Sequence, residues 1–305
     1  MNRSRLQIAK KDILSLFDAL PRTVFKRSDI DRILFENRQF WRLAQSMGTS
    51  QFIAFLQQSG KLIEHTMKFP HRTETRYTWG EVADLQIIQT LRPESYFTHF
   101  TALFLHRLTL QIPKTVYLNY EQPQKRQALH AEPLVQERID YAFRAPCRVS
   151  KTVAEFREKK ICLLNGKFTG RTGVVEVTDQ VDGNLHVTDL ERTLIDAAVR
   201  PVYAGGVHTV LEAYRNAKDK VSINRLAAML TNLGYIYPYH QAIGFYLERA
   251  GNYSARQLSL MHRFEMQYDF YLTHQMKERE YSKHWRLYYP RSEEHTSELQ
   301  SRITI

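Results

Sequence analysis

The residues best able to do chemistry sit in "VTDLERTLIDAAVRP", residues 187–201. Thr188 and Glu191 have the spacing of a capping box. The threonine hydroxyl would take the amide of Glu191, and the carboxylate would reach back to the amide of Thr188. Arg192 and Asp196 are four apart and share one helical face, but Arg before Asp is the weaker order for an intrahelical pair. Arg192 is therefore expected to have a second partner, a backbone group or a carboxylate in a neighbouring domain. Leu190, Leu194, Ala197 and Ala198 give a narrow inward stripe with small residues. Catalysis would need a nucleophile, a base or a metal within reach, and the stretch suggests none. Thr188, Glu191, Arg192 and Asp196 read as a structural joint.

The other candidate groups carry weaker patterns. His99 and His106 lie seven apart on one expected helix, yet no carboxylate or third ligand joins them, so they read as packed side chains. "GKFTGRTG", residues 166–173, is basic and glycine-rich and could cradle a phosphate, but it lacks the spacing of a nucleotide loop and reads as a hairpin turn. Glu176 in "VVEV" sits on an expected strand, as nuclease carboxylates often do, but no E-x-K follows. H-E-x-x-H, G-x-x-x-x-G-K-[ST] and G-x-G-x-x-G are absent. The expectation is a protein with no catalytic residue, no metal and no cofactor.

The elements that position these residues occupy a 305-residue chain, long enough for two or three domains with cores of their own. No apolar run approaches the ~20 residues of a membrane span, and "MNRSRLQIAKKDIL" lacks the uninterrupted apolar stretch of a secretory signal. Two cysteines without C-x-x-C fit a reducing cytoplasm. The net charge is +11 with a pI near 9.5, a footprint for polyanions, most often nucleic acid. Residues 1–80 hold 14 Lys and Arg against 7 Asp and Glu, so most of the excess is in the first quarter of the chain. Residues 291–305 carry "RSEEHTSELQS", which looks like the in-frame translation of a sequencing-library adapter; they are set aside as non-native.

In residues 4–20, Leu6, Ile13, Leu14, Phe17 and Leu20 fall near one helical face, and Pro21 stops the helix. "RSDIDRILFE" restarts with Ser28 as cap, "FWRLAQSMG" is a partial helix or packed insert, and "TSQFIAFLQQSG" runs from Thr49 to Gly60 with Phe52, Phe55 and Leu56 buried. The strands "KLIEHTMKF" and "TRYTW" follow, joined by "PHRTE". Three helices and a hairpin give the order of a winged helix-turn-helix, whose third helix enters the major groove while the hairpin lies on the backbone. Ser50, Gln51, Ala54, Gln57 and Gln58 would form the outward face of that helix, and Gln can pair with adenine edges. Lys61, Lys68, Arg72 and Arg76 are placed for phosphates. A solvated face on a protein-binding winged helix is the plainer alternative.

From Gly80 to Asp189 helical and extended pieces alternate: amphipathic "EVADLQIIQTL", the helix "PESYFTHFTALFLHRL", strand "KTVYLNY", helix "PLVQERIDYAF", and strands "KKICLLNG", "GVVEVTD" and "LHVTD". After Pro201 the chain is mainly helical, with Ser222 as a cap and Gly234 past the end of one helix. "DFYLTHQ" and "HWRLYYP" form a closing hairpin or join the middle sheet. The fold expected is α+β: a winged helix-turn-helix over residues 1–80, then a mixed α/β domain over 81–290 with a mainly helical C-terminal part.

"YFTHFTALFLHRLTLQIPKTVYL", followed by "VTDLERTLIDAAVRP", a Gly-Gly pair and "AIGFYLERAG", resembles the AbiEi-type antitoxins of abortive-infection, type IV toxin–antitoxin systems. The likeness covers residues 5–290, and E-R-T-L-x-D is its most specific part; the insert "RQFWRLAQSMG" departs from the family pattern. The resemblance implies a DNA-binding antitoxin that represses its own promoter through the winged helix. It also implies opposition to a nucleotidyltransferase-like toxin without a stable complex. It transfers no toxin-opposing residue. The alternatives are a stand-alone winged-helix regulator, which would lack a toxin gene next door, and a nucleic-acid-processing enzyme built on Glu176.

Overall fold

A computed structural model describes residues 4–124, 133–179 and 181–291. The adapter-like segment, apart from Arg291, lies outside them. The described chain is mixed α+β, with eleven α-helices, a nine-stranded sheet and a separate three-stranded sheet among the described residues.

The N-terminal unit comprises α1 (Arg5–Ala19), β1 (Val24–Phe25), α2 (Arg27–Asn37), α3 (Thr49–Ser59), β2 (Leu62–Phe69) and β3 (Arg72–Trp79). Ser4 caps α1 by accepting from the amide of Gln7. Ile13 and Phe17 carry its buried face onto Phe25, Phe52 and Trp79. The start of α2 differs from expectation: Lys26, not Ser28, is the N-cap residue, and Asp29 takes the Lys26 amide at 2.8 Å. "FWRLAQSMG" is a packed insert of turns. Trp41 and Leu43 are buried in it, and the Arg38 guanidinium donates to the carbonyls of Ala44 and Met47. β2 and β3 pair along their whole length, so the turn is only Pro70–His71, tighter than "PHRTE".

The middle region follows with α4 (Asp84–Gln89), β4 (Tyr96–Phe97), α5 (His99–Leu105), β5 (Thr115–Glu121), α6 (Gln136–Arg144), β6 (Val153–Phe156), β7 (Lys159–Gly166), β8 (Val174–Asp179) and β9 (Gly183–Thr188). The stretch expected as one long helix from Pro93 is broken. Glu94 and His99 have φ of 52° and 51°, Tyr96 and Phe97 join the sheet, and only seven residues form α5. His106 is the C-cap of α5, not a helical partner of His99.

The large sheet runs β1-β3-β2-β6-β7-β5-β4-β9-β8. It crosses residue 80 without a break, because Lys68 on β2 pairs with Glu155 on β6. The β5/β7 and β4/β9 pairs are parallel and the rest antiparallel. One sheet face is covered by a core that includes Ile87, Phe97, Leu118, Ile161 and Val187.

The C-terminal part holds α7 (Leu190–Val199), α8 (Val207–Ala217), α9 (Ile223–Leu233), α10 (Tyr239–Ala250) and α11 (Ala255–Ser259), then β10 (Phe270–Tyr271), β11 (Arg279–Ser282) and β12 (Leu287–Pro290). The last three strands neither join the large sheet nor form a simple hairpin. They make their own sheet, β10 parallel and β11 antiparallel to β12. Every residue from Glu191 to Ala198 is buried, so α7 is a central helix enclosed on all sides rather than one with a narrow inward stripe. Gly244 on α10 lets the Trp285 ring lie against the helix; a Cβ there would stand 2.0 Å from Trp285 Cζ3.

Candidate functional site

The outward face of α3 is the first site to which the sequence points. Ser50, Gln51, Ala54, Gln57 and Gln58 are exposed, while Phe52, Ile53, Phe55 and Leu56 between them are buried. The face is held by surface hydrogen bonds. Arg27 donates to Ser50 Oγ at 2.7 Å, Gln51 Oε1 takes the Gly48 amide at 3.4 Å, and Gln57 donates to Glu64 at 3.2 Å. Such bonds exchange readily with water or with a ligand.

The hairpin cations divide. Lys61 is exposed and lies 3.5 Å from Asp18. Lys68 is exposed, with no ion pair among the described residues. Arg72 pairs with Glu74 at 2.9 Å and lies over the Phe69 ring. Arg76 does not belong with them. It is 3% exposed and donates to Thr90 Oγ1 and the carbonyls of Thr90 and Leu91, with Glu74 at 3.3 Å. It shares a strand face with Arg72 and Glu74, but burial rises along β3, and at this end the segment after α4 covers the face, so Arg76 ties the hairpin to that segment.

The second site is built on α7. The expected capping box is not formed. β9 continues through Thr188, which pairs with Val174, so the helix starts one residue later. Asp189 is the N-cap and accepts from the Arg192 amide at 2.8 Å. Thr188 Oγ1 bonds instead to Thr193 Oγ1. Glu191 takes the Ser222 amide at 2.9 Å and lies 3.4 Å from Arg225, so it secures the start of α9. Arg192 Nε donates to Asp196 Oδ1 at 2.7 Å, and its Nη1 donates to the carbonyl of Thr172 at 2.7 Å. The second partner is thus a backbone group in the loop between β7 and β8. Asp196 also accepts from Thr98 Oγ1 at 2.9 Å. Burial works against the charge on Arg192, but Asp196, Tyr96 and Tyr235 outweigh it and raise the guanidinium pKa.

The same loop is "GKFTGRTG". Its Thr169 and Arg171 amides and the Thr169 hydroxyl all donate to the Glu121 carboxylate, which also accepts from Tyr96 at 3.1 Å. Burial opposes the charge on Glu121, but the donated hydrogen bonds overcome it and lower its pKa. A protein carboxylate therefore takes the amides that a phosphate would use on this loop, and the loop is not the expected hairpin turn either, because β7 and β8, which it joins, are not paired. Gly173, at φ +73°, lets the loop touch α7, since a Cβ there would meet Arg192 Cβ at 2.8 Å.

These pieces border a cleft of about 700 Å³ that sequence reasoning missed. It lies at the carboxyl ends of the parallel strands β5 and β7, beside α7 and the segment between α9 and α10. His99, Arg148, Lys167, Arg192, Asp196 and Arg200 line it, with Tyr203, Tyr235, Tyr237 and Tyr239. His99 is buried, as expected, and burial drops its pKa to about 4, which keeps the ring neutral. His106 donates from Nε2 to the Thr188 carbonyl at 2.6 Å. The available signals were "GKFTGRTG" and the alternating tyrosines of "LGYIYPY", neither of which reveals convergence by itself. Glu176 is exposed on β8 at the edge of the sheet, and no group of three or more His, Cys, Asp or Glu able to hold a metal ion is found among the described residues.

The fold and its sites thus define a mixed α+β chain with a helical head on one end of a long sheet. It is similar to the crystal structure of the RV2827C protein from Mycobacterium tuberculosis, at 14% identity and a TM-score of 0.59 over 97% of this chain and 94% of that one. At such identity the likeness speaks for the fold over nearly the whole length. No protein-family model matches the chain, and no curated protein matches it. No described helix is long and apolar enough to cross a membrane.

Proposed function

We propose that this protein is a DNA-binding antitoxin that represses its own operon, with the N-terminal unit acting as a winged helix. The observation that carries the reading is the α3 surface: five exposed small or amide side chains, none large and apolar, directly over a buried aromatic face. An outward glutamine pair suits adenine edges in the major groove. The unit's helix order and its antiparallel β1-β3-β2 arrangement support the winged-helix assignment. Lys61, Lys68 and Arg72 supply positive charge beside it, and residues 1–80 carry most of the chain's positive excess. Phosphate contacts orient the domain, and the glutamines choose the sequence.

The antitoxin part rests on the E-R-T-L-x-D resemblance, with a nucleotidyltransferase-like toxin as the functional opponent. The wing differs from a free one, since β2 is paired with β6 at its far end. That end holds Lys68 itself, so the tip is tied into the sheet, and only the exposed side chains of Lys68 and Arg72 are offered there.

Fluorescence anisotropy with the DNA upstream of the protein's own reading frame tests the DNA-binding reading. The intact chain is expected to prefer that fragment over a shuffled one. Gln57→Ala with Gln58→Ala is expected to lose about tenfold or more, the value of one good base-edge pair. Equal affinity for both fragments, or indifference to the double substitution, overturns it.

A further inference from the structure

The cleft beside α7 has a chemistry that DNA binding by α3 does not use. Four cations line it, Arg148, Lys167, Arg192 and Arg200, against the single carboxylate of Asp196. That carboxylate is already matched by Arg192 and Thr98. The remaining cations keep donors to give. Arg148 is exposed, and its guanidinium has no partner among the described residues. Lys167 donates to the carbonyls of Leu233 and Gly234, each at 3.0 Å, leaving the third hydrogen of its ammonium group. Arg200 uses Nη1 on Cys147 Sγ and the Arg148 carbonyl and retains other donors.

The cleft is also lined by aromatic rings, and Lys167 lies over one of them, Tyr235. Tyr235, Tyr237 and Tyr239 alternate from the segment after α9 to the first residue of α10 and are half-buried, with the Tyr235 and Tyr239 rings packed edge to face at 5.3 Å. Rings of this kind hold planar bases by stacking, whatever the base. The location fits as well: in open sheets with parallel strands, ligands bind beyond the carboxyl ends of those strands. A volume of about 700 Å³ is within the range of small-molecule sites.

His99 adds an independent sign. Its Nδ1 is buried with no hydrogen-bond partner among the described residues, and its backbone is held at φ +51°. An unmet buried polar atom and a strained backbone both cost free energy, and they concentrate at functional sites.

We propose that this cleft binds a phosphate-bearing nucleoside, with the base against the Tyr235–Tyr239 segment and the phosphate toward Arg148, Lys167 and Arg200. The ligand is either a free nucleotide or the phosphorylated end of a nucleic-acid strand; the recognised chemistry is the same.

The test is calorimetric titration of the full chain with AMP, CMP, adenosine, inorganic phosphate and a tetranucleotide with or without a 5′-phosphate. AMP and CMP are expected to bind saturably and more tightly than adenosine or phosphate. Binding of the 5′-phosphorylated tetranucleotide in preference to the mononucleotides would assign the strand end as the source. Arg148→Glu, at an exposed site with no partner to lose, is expected to weaken binding by about tenfold or more, the value of one charge-assisted contact. Tyr237→Ala is expected to weaken it at least about fivefold, the lower value of a stacked base. Nucleotide quenching of tyrosine fluorescence in the unaltered chain gives a readout independent of variant folding. Gln57→Ala with Gln58→Ala leaves nucleotide binding intact, and Arg148→Glu leaves duplex binding intact, so each proposal fails separately. The proposal is overturned by absence of binding to all phosphorylated probes, by adenosine or phosphate binding as tightly as AMP, or by indifference to both cleft substitutions.

Discussion

The α3 face and the α7 helix are both polar, and they use polarity in opposite ways. On α3 the polar side chains sit in water and are held by weak surface bonds, with Gln58 exposed. On α7 the charges are enclosed: Arg192 and Asp196 are 6% and 7% exposed at their side chains, and each has a further neutral partner. Loosely held polar groups are free to meet another molecule. Enclosed ones specify how the protein's own parts meet, and removing one leaves its partner stranded.

The largest contrast should follow from removing one arginine in each region. Arg192→Ala leaves Asp196 buried without its countercharge and frees the Thr172 carbonyl, so a loss of about 3–5 kcal/mol is expected. Arg32→Ala on α2 removes a surface pair with Asp29, its side chain 61% exposed, and should cost under about 0.5 kcal/mol. Urea unfolding measures both; similar costs would break the contrast.

A second expectation concerns pH. Burial lowers the pKa of His99 and of His240 to about 4, and His65 and His262 shift the same way. In the unfolded chain these rings take up protons near pH 6.5. Between about pH 6.5 and pH 4 the unfolded state therefore binds more protons than the folded one. Stability is full above that window and declines as pH falls through it, by up to about 1.4 kcal/mol per pH unit for each of His99 and His240. Urea midpoints at pH 7.5, 6.5 and 5.5 would show the slope. Replacing His99 and His240 by Gln should flatten it, and an unchanged slope would reject these two groups as its source.

The local features were the legible ones. α3, its buried Phe52, Phe55 and Leu56 and its exposed glutamines follow from a 3.6-residue period. The Ser222 cap and Gly234, at φ +54° past the end of α9, follow from chain chemistry alone. What could not be read depended on distant partners. The inward turn of Arg76 requires Thr90, and the fate of Glu191 requires the start of α9. Tyr96 and Phe97 extend because β5 and β9 flank them, against a pattern that looks helical. The cleft gathers residues separated by more than a hundred positions, and no single window contains it.

Two arginines four apart on β3 sharpen the same comparison within one strand. Arg76→Ala opens a buried site and leaves the Thr90 and Leu91 carbonyls with fewer donors, so about 2 kcal/mol of stability should be lost. Arg72→Ala, at a side chain 43% exposed, should lose less than about 1 kcal/mol. Equal losses in thermal unfolding would mean that the inward tie is not what holds the hairpin to the middle region.

The smallest effects on stability should carry the clearest information about DNA. Lys68→Ala changes an exposed side chain with no ion pair among the described residues, so folding should shift by no more than about 0.5 kcal/mol. A phosphate contact shows instead in the salt dependence. Each one lost lowers the slope of log affinity against log salt by about one and weakens specific and shuffled DNA alike. Lys68→Ala and Arg72→Ala are expected to do this, whereas Gln57→Ala should alter sequence preference with the slope unchanged. A glutamine variant that changes the slope, or a Lys68 variant that leaves it unchanged, would reverse the division of labour assigned to helix and hairpin.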